Sequence, residues 1–189
     1  MTVKRQNNMK KYILGFLGLV LLAGMISCEP NNPYNIGPTY DAEKYLKIDS
    51  VKIAEYLEVA EIDSLYRIHD PSGVVIIVQE EGEGSRPEYG NQIYTDYVGM
   101  LTDDTVFDTN IQSVAEDNGL HEEGDVYRPL SFELGSGVVQ GFSLGFRRLR
   151  SGSKAVLVIP SPYGYQSQER ERIPENSVLV FEVDFLGMD

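Results

Sequence analysis

The stretch LGSGVVQGF, Leu134–Phe142, holds three glycines, two valines and a terminal phenylalanine, with no acid, histidine or cysteine. Gly135, Gly137 and Gly141 invite comparison with a phosphate-cradling loop. Their spacing is GxGxxxG rather than GxGxxG, and no P-loop lysine follows, so that reading fails. Upstream lies PLSFELG, a strand-like run. Downstream, FSLGFRRLRSG places Phe142, Phe146 and Leu149 at i, i+4 and i+7, with Gly152 positioned as a C-cap. The segment therefore predicts a strand, a glycine turn and a single short helix with one apolar stripe.

Further strands are expected on either side. GVVIIVQEE is apolar and β-branched, QIYTDYVGML (Gln92–Leu101) alternates, and SKAVLVIP and SVLVFEVDFLG follow. In the last, Leu179, Phe181, Val183 and Phe185 share one face, while Glu182 and Asp184 share the other. That is the pattern of a half-buried antiparallel strand. Before the strands, Tyr45, Leu46, Val51, Ile53, Ala54, Leu57 and Ala60 recur at roughly helical spacing. One or two short helices are predicted between 41 and 62, the second starting near Asp49 or Ser50, both good caps. Several antiparallel strands and one central helix give an α+β domain with an N-terminal helical extension.

The first residues read as an address. Lys4, Arg5, Lys10 and Lys11 precede the uncharged run Tyr12–Ile26, and Cys28 follows it after the single residue Ser27. Fifteen apolar residues fall short of the roughly 20 that span a bilayer as a helix, so the pattern is that of a secretory signal peptide, with an uncleaved anchor as the alternative. Cys28 is the only cysteine, so no internal disulfide can form. Beyond residue 27, 12 basic side chains face 29 acidic ones. So acidic a body argues against nucleic acid as a partner. The expected organisation is a signal peptide over 1–27, a Pro- and Asn-rich tether over 28–40, a helical extension over 41–70 and the β-rich domain over 71–189.

In order, the strand segments carry YTDYVGMLTDDTVFD, PLSFELGSGVVQGF, SGSKAVLVIPSPYGY and IPENSVLVFEVDFL. Together these resemble the FK506-binding-protein (FKBP) type of peptidyl-prolyl cis-trans isomerase, from about Gly73 to the C-terminus. MISC, ending at Cys28, resembles the lipobox of bacterial lipoproteins, with Met25 where Leu is usual. The whole arrangement resembles a lipoprotein branch of the family in Bacteroidetes-like bacteria, some of whose members are associated with gliding motility. The resemblance implies an FKBP-like antiparallel β-sheet wrapped around one short α-helix. It also implies isomerisation of X–Pro bonds in proline-containing polypeptides, inhibition by FK506-like macrolides, no cofactor and no metal. Membrane attachment through a lipidated Cys28 and a cell-envelope location, periplasmic or at the outer membrane, are implied too. The alternatives are an FKBP-fold module that binds proline-containing segments with little turnover, and a structural part of an envelope assembly.

The resemblance also assigns a pocket. Tyr97 and Phe107 would be aromatic walls and Asp108 an acceptor at the rim. Leu130 stands where the family commonly has an aromatic, and Phe132 would be another wall. Val138 and Val139 would line the prolyl site, and Phe142 would be its floor. The family most often has Trp there, but the chain contains none. Tyr165 would hydrogen-bond the substrate carbonyl, with Tyr163 as its rival and Gln166 where the family has Gly. Ile173 and Phe181 would complete the lining. Asp104, in LTDDTVF, stands where Gly is usual and must tolerate a left-handed conformation. Between Phe107 and Pro129 lies an insertion expected to hold a short helix ending at Asn118–Gly119. Its His121, Glu122, Glu123 and Asp125 read either as a solvated acidic loop or as a cation site.

Overall fold

A computed structural model of the chain describes residues 40–189. The expected signal peptide, Cys28 and the tether up to residue 39 lie outside the described residues. Among those described, no helix is long and apolar enough to cross a membrane.

Seven strands form one antiparallel sheet: β1 (Tyr66–His69), β2 (Val75–Glu80), β3 (Gln92–Met100), β4 (Val106–Thr109), β5 (Leu130–Glu133), β6 (Lys154–Ile159) and β7 (Leu179–Met188). Their order is β1-β2-β6-β7-β3-β4, and β5 pairs with the first half of β3 while β4 pairs with its second half. Tyr66–His69 pairs residue by residue with Val75–Val78. The boundary expected at residue 70 therefore falls inside a hairpin, and β1 belongs to the sheet and not to the helical extension.

Among the described residues, three helices accompany the sheet: α1 (Ala42–Val59), α2 (Gln112–Asp117) and α3 (Gln140–Phe146). The short α3 lies on the inner face, where Phe142, Phe146 and Leu149 pack among Ile76, Leu157, Ile159 and Phe185. It is shorter than expected. After Phe146 the chain tightens into i→i−3 turns, with the Arg148 and Leu149 amides donating to Gly145 and Phe146. Gly152, at φ +90°, then turns it into β6. Gly141 is needed for close packing. A Cβ there would lie 2.2 Å from Ile159 Cγ2 on β6, so only glycine brings the helix this near the sheet.

The outer face is covered by α1. Ile53 packs with Val75, Ile77, Val156, Val158, Val178 and Val180, flanked by Tyr56 and Leu57. Both faces of β2 and β6 are thus buried, which is why their sequences are continuously apolar instead of alternating. The helix is continuous through the point where a second start was expected. Asp41 is the true N-cap, its carboxylate accepting the Lys44 amide at 3.0 Å. Asp49 lies in mid-helix and is fully buried, while Ser50 bonds back to the Lys47 carbonyl at 2.8 Å.

Candidate functional site

The site opens where β3, β4, β7 and the turn before α3 converge on the inner face. A cavity of about 170 Å³ is lined by Tyr97, Asp108, Leu130, Gly137, Val138, Val139, Phe142, Tyr165 and Phe181. The alternation of β3 and β7 aims Tyr97 and Phe181 inward, since Tyr97 pairs with Val183 and Gly99 with Phe181. The glycine turn delivers Val138 and Val139, and Val139 is the N-terminal flank of α3. Phe142 forms the floor, 2% exposed, with its ring centroid 5.0 Å from that of Phe181 and 6.3 Å from that of Tyr97.

Eight of the expected pocket residues meet in this cavity. Phe107 and Ile173 line an adjoining cavity of about 320 Å³ that shares Asp108 and Tyr165 with it. Phe107 meets Phe181 edge to face at 5.6 Å. Phe132 differs from expectation. It is buried behind Phe142, 5.5 Å between ring centroids, so it supports the floor and is not a wall. Of the two tyrosines open for the carbonyl-binding role, both pack against the core, and Tyr165, not Tyr163, lines the cavity.

Both pocket phenols are held in their neutral form. Burial pushes the Tyr97 phenol well above its ordinary range, and the neighbouring Asp108 carboxylate adds to this by charge and by accepting its O–H at 2.8 Å. Burial also raises Tyr165, against the opposing pull of Arg170, whose guanidinium stacks 4.3 Å above the Tyr165 ring. At neutral pH Tyr165 is therefore a hydrogen-bond donor. Its O–H has no protein acceptor among the described residues.

Three supporting residues escaped the motif reading. Gly99 sits in mid-strand, and a Cβ there would lie 2.7 Å from the Phe107 ring and 2.8 Å from that of Phe181. A glycine inside a strand signals such a close approach. Asn110 fixes Tyr97 from behind. Its Oδ1 accepts the Tyr97 amide at 2.8 Å, and its Nδ2 lies 2.9 Å from Asp96 Oδ1 and 3.1 Å from the Arg128 carbonyl. It thereby joins the two ends of the insertion to β3. Arg170 is the third, with no signature beyond its place in a charged loop. Inside the insertion α2 ends at Asn118 and Gly119, and Arg172 donates to both of their carbonyls. His121 bonds the Tyr127 hydroxyl at 3.0 Å. Among the described residues, no group of three or more His, Cys, Asp or Glu is arranged to hold a metal. Asp104 and Gln166 both adopt left-handed backbone, φ +65° and +57°, at the two positions where the family has glycine.

Residues 83–186 match the family model of the FKBP-type peptidyl-prolyl cis-trans isomerases. The chain belongs to this family. Over 117 residues it is 34% identical to the FKBP-type peptidyl-prolyl cis-trans isomerase FkpA of Escherichia coli, covering 62% of this chain and 38% of FkpA. It is 33% identical over 120 residues to FK506-binding protein 4 of Rhizopus delemar, covering 62% of this chain and 28% of that protein. The chain thus spans well under half the length of these relatives. Among solved structures, the FKBP-type fold aligns with the crystal structure of E. coli FkpA at a TM-score of 0.58 and 28% identity, over 79% of this chain and 61% of that one. A peptidyl-prolyl cis-trans isomerase from Pseudomonas syringae, 23% identical, shares the fold at a TM-score of 0.59 over 81% of this chain and 99% of that one.

Proposed function

We propose that the protein is a peptidyl-prolyl cis-trans isomerase acting on X–Pro bonds of proline-containing polypeptides in the cell envelope. The observation that carries this reading is the convergence of Tyr97, Val138, Val139, Phe142, Tyr165 and Phe181 on one cavity lined mainly by aromatic and aliphatic side chains, with Asp108 at its rim. The signal-like run and the position of Cys28 support a lipid-anchored protein of the Bacteroidetes-like branch. Two or more acyl chains would hold it firmly at the membrane, since each buried CH₂ contributes about 0.8 kcal/mol.

Isomerisation must overcome an amide barrier of ~18–20 kcal/mol without breaking a covalent bond. No nucleophile or general base is required. The proline ring rests on Phe142 between Tyr97, Val139 and Phe181, which strips water from the imide. An apolar surrounding disfavours the charge-separated resonance form and so weakens the double-bond character that resists rotation. Tyr165 donates its O–H to the substrate carbonyl, fixing one side of the bond while the other turns. Interactions that fit the twisted bond better than either planar isomer lower the barrier.

The test is catalysis of cis-to-trans conversion in a short Leu-Pro or Phe-Pro peptide, with FK506 as competitor. Phe107→Ala opens the edge-to-face contact with Phe181 and is expected to lower kcat/KM by about tenfold or more with the fold retained, the effect of losing well over 1 kcal/mol of aromatic contact. A parent protein that binds FK506 without turnover would instead be a binding module.

A further inference from the structure

A helix outside the family-matched segment grips the loop that carries Tyr165. The matched segment starts at residue 83, whereas α1 ends at Val59. We infer that Asp49 of α1 is a positioning residue for the pocket, setting through Ser161 the conformation of the Tyr165 loop. The inference rests on Tyr165 acting as proposed above.

Asp49 is fully buried, where a carboxylate is strongly disfavoured unless its oxygens find partners. One oxygen, Oδ2, accepts both the Ser161 amide at 2.8 Å and the Ser161 hydroxyl at 2.6 Å. Ser161 is itself fully buried and opens the 3-10 turn Ser161–Tyr163. Its single hydroxyl proton is committed to Asp49, so the Tyr40 hydroxyl 3.0 Å away must donate to the Ser161 oxygen. The second oxygen, Oδ1, has no hydrogen bond and faces the Lys52 ammonium at 3.4 Å. The same ammonium lies 3.4 Å from the Asn176 carbonyl, at the far end of the loop. Two neighbouring turns of one helix thus hold both ends of the segment 161–176.

The connection continues to the pocket. The Ser161 carbonyl accepts the Gln166 amide at 3.1 Å, and the Gln166 carbonyl accepts the Asn176 amide at 2.7 Å. Gln166 also donates from its side chain to the Pro162 carbonyl at 3.2 Å. These bonds keep Gln166 at φ +57°, a conformation that a residue other than glycine holds only when its surroundings over-determine it. Tyr165 is the residue immediately before it, so the same backbone places its ring in the cavity. A helix needed only to cover the sheet would place an apolar residue at 49, as it does at Ile53.

The experiment compares Asp49→Ala with Ile53→Ala in the full chain, because Ile53→Ala weakens α1 docking without touching Ser161. Site-resolved amide hydrogen exchange and separate kcat and KM for the peptide are measured. Asp49→Ala is expected to speed Gln166 exchange about tenfold relative to β7 amides and to lower kcat several-fold, the effect of losing a charge-assisted bond. Asp49→Asn, which keeps one acceptor oxygen, should recover part of both. Ile53→Ala should lower the melting temperature with no selective change at Gln166. If Asp49→Ala changes Gln166 exchange and kcat no more than Ile53→Ala does, α1 is only a cover and the inference fails. If Asp49→Ala does not fold, Ser161→Ala carries the same comparison, and exchange at Gln166 equal to the parent's overturns the inference. A parent without turnover removes the isomerase reading, while the exchange comparison still decides the role of Asp49.

Discussion

The Tyr97 phenol donates to Asp108 Oδ2 at 2.8 Å, linking the inward side chain of β3 to the rim residue of β4. The bond ties a wall of the cavity to its mouth. Tyr97→Phe keeps the ring and deletes this bond. A net contribution of about 0.5–1.5 kcal/mol makes the expected loss in kcat/KM roughly two- to tenfold, with unchanged circular dichroism. The phenols also fix the pH dependence. Both Tyr97 and Tyr165 have raised pKa values, so the protonated donor persists up to and beyond the ordinary phenol value of about 10. The kcat/KM of the peptide is therefore expected to stay flat as pH rises from neutrality toward that value. An alkaline decline beginning near neutrality would mean that at least one of the two phenols does not hold its proton as described.

Gly99 sets the approach of two aromatic rings. A methyl group there would meet Phe107 at 2.7 Å and Phe181 at 2.8 Å, so both rings must move for alanine to fit. Gly99→Ala is expected to cost about 1–3 kcal/mol by overpacking. Because both rings belong to the site, FK506 affinity should fall together with kcat/KM. A variant that melts earlier yet binds FK506 like the parent would show that the rings are core, not pocket.

Asn110 accepts the Tyr97 amide and reaches the carbonyl of Arg128, where the insertion returns to the sheet. Asn110→Ala leaves the Tyr97 amide without its acceptor. A cost of about 1–3 kcal/mol is expected for the unmade bonds. Exchange of the Tyr97 amide and of residues 112–128 should rise together, since one side chain holds both. Independent responses of the two segments would refute that coupling.

The pocket was largely legible because its residues fall in an ordered set of motifs, and the strand period then puts them on one face. Phe132 was misplaced because a motif says which residues gather and not which stands in front; the ring of Phe142 occupies the nearer position. The helical extension was harder. Asp49 and Ser50 look like caps when only the local chain is considered, since a carboxylate or hydroxyl usually satisfies nearby amides. The partner of Asp49 is Ser161, 112 residues away, and no local pattern encodes it. The signal for α1 docking lay instead in the strands. VIIV in β2 and AVLVI in β6 are apolar on both faces, which requires a cover on the second face as well as the first.

That cover gives the last prediction. A fragment beginning at residue 64 keeps β1 paired with β2 but removes α1, uncovering Val75, Ile77, Val156, Val158 and Val180. The inner core, with α3 and Phe185 at its centre, is untouched, so the fragment should retain its β-sheet circular dichroism. Its stability should fall sharply, because truncation of Ile53 alone to alanine is expected to cost about 2–5 kcal/mol in a domain whose total is typically about 5–15 kcal/mol. The urea midpoint should drop, and a dye that reports exposed apolar surface should bind the fragment but not the full chain. A fragment starting at residue 71 also loses β1, which bares the edge of β2 and should make it associate. If the fragment from residue 64 melts with the full chain and binds no dye, α1 does not cover the outer face in solution, and the tie from Asp49 to Ser161 falls with it.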